Sequence, residues 1–534
     1  MWIRYDLNDF RIIAHYLWIV ICFTSIVFLV PMLVAILFKE YEPISRYLGC
    51  MGLTFLLGTC LLLVKVNPPK INRQQALAVT GFSWIVVPIL VAIPLFYSGH
   101  YYNFLDALFD GISSITTTNA STVADLDHLS YADNMLRYIV QVYGGLGLVL
   151  VVLGFGFLKA SEAGSSLYSS EARAGLVVSN VYSTSRIILR MVFVGILIGT
   201  FFISFSFFFS EMSPQRSVLH AFCLSCSALV SGGFAPMSQN VTYYHSPELE
   251  VILIVLMVVS SISFVLLATM IKGRYSSFRH DIEIKGLAAW VLIMTIFFTF
   301  NMCTSGANVG VDIHIRRGVF MLFSAFTTTG FQNITNEQII SYFTSGGLMI
   351  LAILMAVGGC ANSTSGGFKI FRLGVIYKAL IQSIKEIISP SSSKVKTSYT
   401  HITKHEIKIE TIKQVLVVFM FYLITYIVGF LVAIAYGYDA INSIFDSIAI
   451  TSNGGIVTLV GPNMPIGLEL TYIIQMLLGR LEFLTLIALL VKLVVSLNQK
   501  FWAKVNTEKI KTSAVKKFPI LRPKQHTVKK DRSA

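Results

Sequence analysis

The sequence predicts an all-α polytopic membrane protein. Four pseudo-symmetric repeats of helix, short helix, polar turn and helix surround one axis, after two extra N-terminal transmembrane helices. Three observations predict this. The 534 residues are 55% hydrophobic and only 13% charged, with a mean hydropathy of +0.72, whereas a soluble protein carries about a quarter charged residues. Many apolar runs reach the roughly 18 residues of a membrane helix, and the alternating segments of about ten residues that mark an outer-membrane barrel are missing. A turn of small polar residues recurs four times, each time after an apolar run too short to cross a bilayer.

The first element is an apolar run over 12–38. It is too long for the hydrophobic region of a cleaved signal and lacks a small-residue cleavage site. Lys39-Glu40-Tyr41-Glu42 links it to a second run over 45–66, and together these make an N-terminal pair within 1–70. Repeat 1 occupies 71–160, with helices over 78–98 and 134–158, a short helix over 103–115 and the turn Thr116-Thr117-Thr118-Asn119. Repeat 2 occupies 161–285, with helices over 187–210 and 248–271 and the turn Leu229-Val230-Ser231-Gly232-Gly233. Repeat 3 occupies 286–400, with helices over 286–304 and 343–385 and the turn Thr327-Thr328-Thr329-Gly330. Repeat 4 occupies 401–497, with helices over 413–436 and 467–497 and the turn Thr451-Ser452-Asn453-Gly454-Gly455; a basic tail, 498–534, follows. Phe109, Phe320 and Phe445 each stand ten residues before Asn119, Gly330 and Gly455, and Cys223 stands ten before Gly233. Repeated transmembrane units of this kind build many transport folds.

The net charge of +14 does not point to nucleic acid. The basic residues lie in 65–77, 159–190, 272–285, 369–413 and 498–534, all opposite the four turns. The positive-inside rule puts these segments and both termini in the cytoplasm, where anionic lipid is the neighbour, and the resulting ten crossings have the required even parity. Cys223 and Cys226 have redox-motif spacing but fall in an apolar short helix, so buried free thiols are expected. His401 and His405 are four apart without the glutamate of a metalloprotease helix, and no metal is expected there. No nucleotide fingerprint or nucleophile elbow is present, so no organic cofactor is expected in this chain.

Non-helical backbone at membrane depth survives only when buried in protein or lining a water-filled path. Four such turns around one axis aim carbonyl oxygens at a common point, and a carbonyl ring replaces the hydration shell of a monovalent cation. The short helices add their negative C-terminal ends. The expected cation-binding residues are Thr117, Thr118 and Asn119; Gly232 and Gly233; Thr328, Thr329 and Gly330; and Asn453, Gly454 and Gly455. A second signal lies in repeat 3, where Gly358-Gly359 through Asn362-Ser363-Thr364-Ser365-Gly366-Gly367 interrupts an apolar helix. It reads as a flexible kink or as a gate below the turns. Arg480 sits in an apolar run, where a charge is costly without a cavity or partner; it reads as a packing residue or as a barrier in the pore. Asp106, Asp110, Asp446 and Glu469 are expected at the outer mouth, attracting cations.

These residues resemble the superfamily of K⁺ transporters that includes the TrkH, KtrB and plant HKT proteins, and look closest to the TrkH branch. The resemblance covers about 40–497 and rests on Val230-Ser231-Gly232-Gly233-Phe234, Thr327-Thr328-Thr329-Gly330-Phe331, the run Gly358 to Lys369, and Gly479-Arg480-Leu481-Glu482. It implies K⁺ as the transported ion, a four-fold pseudosymmetric selectivity filter, a homodimer and the bacterial inner membrane. It also implies a cytosolic TrkA-type nucleotide-binding ring that gates the pore. It makes 358–367 the intramembrane gate loop, and places Arg480 in the pore beside that loop. One position departs: the first filter ends in Asn119, where the family's pattern has glycine. Some HKT proteins with serine there carry Na⁺, so Na⁺ stands as a further cargo.

The competing function is a proton- or sodium-coupled secondary cation symporter. That class favours intramembrane carboxylates and inverted repeats, whereas the repeats here run parallel. A membrane enzyme is not expected, because no catalytic cluster falls at membrane depth.

Overall fold

The computed structural model describes residues 7–64, 71–148, 150, 181–208, 212–273, 275–304, 311–335, 338–339, 343–390 and 396–497. The basic stretches 65–70, 159–180 and 498–534 lie outside these residues. The N-terminal pair comprises α1 (Leu7–Val27), α2 (Leu29–Phe38) and α3 (Tyr41–Leu62). Repeat 1 holds α4 (Arg73–Phe96), the short helix α5 (Phe104–Thr116) and α6 (Tyr131–Leu146). Repeat 2 holds α7 (Val181–Phe207), the short helix α8 (Pro214–Leu229), α9 (Pro247–Ser261) and α10 (Phe264–Ile271). After α11 (Tyr275–His280), repeat 3 holds α12 (Ile282–Thr304), the short helix α13 (Val311–Phe326), α14 (Ser345–Val357) and α15 (Ile370–Ile388). The antiparallel hairpin β1 (Ser398–His401) and β2 (Thr403–Glu406) leads to repeat 4. That repeat holds α16 (Ile409–Ala435), the short helix α17 (Ala440–Thr451), α18 (Ile466–Arg480) and α19 (Leu484–Leu497).

The N-terminal pair is tied to repeat 1 by charge. Pro31 has no N–H for the Val27 carbonyl, so the first apolar run breaks between α1 and α2. Lys39, at φ 61°, turns the chain toward α3. Glu40 then accepts the free backbone N–H groups of Tyr131 and Ala132 at 2.9 and 3.1 Å. A carboxylate there also meets the positive end of the α6 dipole. Arg46 grips both oxygens of Asp133 at 2.7 and 2.6 Å, and the Tyr47 hydroxyl donates to the same carboxylate at 2.6 Å.

The repeats close into a ring. The second helix of each repeat packs on the short helix of the next: α6 on α8, α9 on α13, α14 on α17, and α18 back on α5. Such a cycle has no free end, so the four turns after the short helices must meet near its axis.

Among the described residues, six helices are long and apolar enough to span a membrane, or seven with the bent pair α9–α10. The second helices account for the shortfall. The sequence pattern runs them unbroken over 134–158, 248–271 and 467–497, but the structure divides each one. α6 stops at Leu146 before Gly147 at φ 94°; α9 and α10 bend by 103°; α18 and α19 part at Glu482 and Phe483, with φ of 51° and 64°. Residues in the left-handed region end an α-helix. Together with the break at 358–369, every second helix is interrupted after 13 to 16 residues, a rise of about 20–24 Å. Residues 151–158 of the first lie outside the described set.

Candidate functional site

The four turns share one backbone conformation. Each short helix is followed within two residues by one with positive φ: Thr117 (57°), Ser231 (53°), Thr328 (52°) and Asn453 (51°). The next residue, Thr118, Gly232, Thr329 or Gly454, sends its N–H back five residues, to the carbonyl of Ser113, Ser227, Ser324 or Ala449. These are the bonds of a left-handed helix cap. The residue after that returns to positive φ: Asn119 (66°), Gly233 (72°), Gly330 (93°) and Gly455 (63°). Each turn thus sets one residue between two of positive φ, the same pattern four times.

The turns converge. A Cβ placed on Gly455 would lie 2.2 Å from the Thr118 carbonyl oxygen, and one on Gly233 would lie 2.0 Å from that of Thr329. Only glycine fits at these two contacts. Asn119 occupies the fourth equivalent place, and its side chain crosses the ring. Its Nδ2 donates to the Gly330 carbonyl at 2.7 Å and approaches that of Gly455 at 3.4 Å. Facing two acceptors, the amide must present its N–H₂ end. Hydroxyls stiffen the ring: Thr116 to Thr118 at 2.7 Å, Thr327 to Thr329 at 2.8 Å, and Asn453 Nδ2 to Thr118 Oγ1 at 2.8 Å. On one side of the ring lies a vestibule of about 470 Å³ bordered by Asn119, Asn240, Gln332 and Gly455. On the other lies a cavity of about 50 Å³ bordered by Asn453, Gly366, Asn362 and Arg480.

The acidic residues do not stand open at the mouth, as the sequence suggested. Asp110 and Asp446 are both fully buried, each nine residues before the end of its turn. Asp446 accepts the N–H groups of Thr458 and Leu459 at 2.7 Å each, pinning the chain that leaves turn 4. Asp110 takes a hydroxyl from Ser121 at 2.7 Å and pairs with Arg137 of α6 at 2.9 Å. Asp106 is committed to a capping box with Asn103, and Glu469 is buried in the first turn of α18. They are struts behind the turns. Sequence reasoning missed Arg137, a buried charge in an apolar helix that the same rule applied to Arg480 would have found. It also missed Gln141, whose Nε2 holds the Gly232 carbonyl at 2.9 Å.

Below the ring, loop 358–369 is knitted into protein. Its freed backbone groups find protein partners, several of them at the α9–α10 break. Cys360 N–H donates to Ser261 at 2.9 Å, and the Asn362 carbonyl accepts the Phe264 N–H at 3.2 Å. The Gly359 carbonyl takes the Ile370 N–H at 3.0 Å, and Ser363 Oγ donates to Cys360 at 2.6 Å. Gly358 and Gly367 have φ of 68° and 77°, and Tyr422 donates to the Gly367 carbonyl at 2.9 Å. Lys369 donates to the Ser365 carbonyl. The loop also touches three turns. Gly366 N–H donates to Thr328 Oγ1 at 2.7 Å, Thr364 Oγ1 meets Ser231 Oγ at 2.9 Å, and a Cβ on Gly366 would lie 1.9 Å from the Ser452 carbonyl.

Arg480 closes this level. Its guanidinium donates to the Thr364 carbonyl at 2.8 Å and to the Gly145 and Gly144 carbonyls at 2.8 and 3.1 Å. The latter two lie at the negative C-terminal end of α6, where a cation is favoured. Glu482 turns away and pairs with Arg372. Cys223 and Cys226 are buried free thiols.

A family model described as "TrkH: Cation transport protein" matches residues 51–502. An uncharacterised cation transporter of Methanocaldococcus jannaschii is 27% identical over 488 residues, 91% of this chain and 96% of that one. The Trk system potassium uptake protein TrkI of Halomonas elongata is 25% identical over 491 residues, 89% of this chain and 94% of that one. The crystal structure of the potassium transporter TrkH from Vibrio parahaemolyticus superposes with a TM-score of 0.72 at 21% identity, covering 92% of this chain and 99% of that one. The chain therefore belongs to the TrkH family of cation transport proteins and is not an enzyme.

Proposed function

We propose that the chain takes up K⁺ across the bacterial inner membrane through the ring made by Thr117–Asn119, Gly232–Gly233, Thr328–Gly330 and Asn453–Gly455. The observation that carries this reading is the same capped turn in four copies, with carbonyls gathered at one point. Such a ring binds a monovalent cation by replacing its water. The potassium in the names of TrkI and TrkH favours K⁺ as cargo. The Asn119 amide takes one carbonyl away from the ring and makes Na⁺ the cation to compare.

Loop 358–367 with Arg480 is the gate. Its contacts to three turns and to the α6 carbonyls close the path directly beneath the ring, and a fixed positive charge there opposes a resting cation. The basic segments face the cytoplasm with both termini. The chain works as a homodimer in the bilayer under a cytosolic TrkA-type ring. A fixed ring of four parallel repeats favours passage along one axis over alternating access by a symporter. Flux of K⁺, Rb⁺ and Na⁺ into proteoliposomes, with and without a TrkA-type subunit, tests the reading. K⁺ and Rb⁺ enter, more so with the subunit; entry of none of the three defeats it.

A further inference from the structure

The fold separates the two histidines of the 401–405 stretch. His405 stands opposite Tyr399 in the hairpin ladder, with its side chain exposed. His401 ends β1 and turns inward, toward Asp281 and Glu283 at the start of α12, both fully buried. One ligand atom from each of the three lies within 4.8 Å of the others.

The spacing is unusual for direct hydrogen bonding. His401 Nδ1 is 3.3 Å from each Asp281 oxygen and 3.9 Å from Glu283 Oε2. A charge-assisted hydrogen bond would be about 2.7–2.9 Å. Ligand atoms around a tetrahedral ion, with bonds of about 2.0–2.2 Å, stand about 3.3–3.6 Å apart. Glu283 Oε2 has no hydrogen-bond donor among the described residues, although its side chain is fully buried. The remaining carboxylate oxygens are held by backbone. Asp281 accepts the N–H of Glu283 at 2.9 Å and of Ile402 at 2.8 Å, and Glu283 Oε1 accepts the Ala361 N–H at 2.7 Å. Outer partners of this kind fix the orientation of metal ligands. With His401 neutral, the form that can ligate, and both buried carboxylates ionised, the site would carry a charge of −2, which a divalent cation cancels.

We propose that Asp281, Glu283 and His401 form a site for a divalent transition-metal ion of the zinc class. One imidazole nitrogen with carboxylate oxygens suits zinc, whereas magnesium and calcium take all-oxygen sets. Ala361 belongs to loop 358–369, and His401 to the hairpin. The ion therefore clamps the hairpin to that loop. Only this mechanical consequence rests on the proposed gate; binding does not.

The test uses the full chain, purified in detergent, stripped with EDTA and titrated with ZnCl₂ by calorimetry. One zinc binds per chain. His401→Ala and Glu283→Gln each weaken it by at least about tenfold, and His405→Ala leaves it unchanged. Absence of binding to the wild type, or equal affinity in the wild type and His401→Ala, overturns the site. Glu283→Gln keeps an acceptor for the Ala361 N–H; if it does not fold, His401→Ala alone decides. Cation flux is measured on the same samples, so zinc binding without flux counts against the pore and not against this site.

Discussion

Replacing Asn119 with glycine removes the one side chain that crosses the ring of turns. Its amide spends a 2.7 Å hydrogen bond on the Gly330 carbonyl. That carbonyl then has to be shared between the amide and an arriving cation. The net worth of such a bond is about 0.5–1.5 kcal/mol. Since 1.4 kcal/mol is about tenfold, glycine should tighten apparent K⁺ affinity by about two- to twelve-fold. The backbone should not object, because Asn119 already sits at φ 66°, where glycine is at ease. Asn119→Ala also frees the carbonyl but keeps a Cβ in the left-handed region, at a cost of about 1–2 kcal/mol relative to glycine. Concentration-dependent Rb⁺ uptake and K⁺/Na⁺ reversal potentials in proteoliposomes read the change. If affinity and the K⁺/Na⁺ ratio both stay at wild-type values in Asn119→Gly, the amide does not compete with the cation and the reasoning fails.

Arg480→Ala removes the guanidinium from the Thr364 carbonyl. A hydrogen bond to a charged group is worth about 1.5–3 kcal/mol, so resting flux should rise about ten- to a hundred-fold in vesicles lacking a cytosolic subunit. Gly366→Ala sets a methyl 1.9 Å from the Ser452 carbonyl; the loop must retreat, and resting flux rises in the same assay without loss of K⁺ over Na⁺ preference. Arg137→Ala leaves Asp110 buried and unpaired, costing about 3–5 kcal/mol, whereas Arg137→Met with Asp110→Leu should recover most of it. Thermal unfolding in detergent measures both, and an equal loss in the two proteins would show that the pair is not what holds α6 to α5.

Much of this architecture was legible because it repeats. The four turns could be aligned from Phe109, Cys223, Phe320 and Phe445 alone, and the ring of packed helices follows that alignment. The first left-handed residue of each turn was not legible, because Thr117, Ser231, Thr328 and Asn453 carry no glycine signal. The breaks near Ile262 and Leu481 were hidden for a related reason. Ser260, Ser261 and Ser263 flank the first and Arg480 and Glu482 the second, but each interruption is only a few residues long and long apolar runs resume at once, so the window-averaged hydropathy stays high. Loop 358–369 was visible only because its interruption is polar. The roles of Asp110 and Asp446 depend on groups that fold back from Ser121, Arg137, Thr458 and Leu459. No local pattern distinguishes such a buried strut from a carboxylate at an open mouth.

The central claim is that the four turns form one cation site. Anomalous scattering from Rb⁺ in crystals of the full chain tests it most directly. The account predicts an Rb⁺ peak on the axis within coordination distance of carbonyls from Thr118, Gly232, Thr329 and Gly454, between the outer vestibule and loop 358–369. A peak held by fewer than three of the turns, or no Rb⁺ along the axis at saturating concentration, would contradict it.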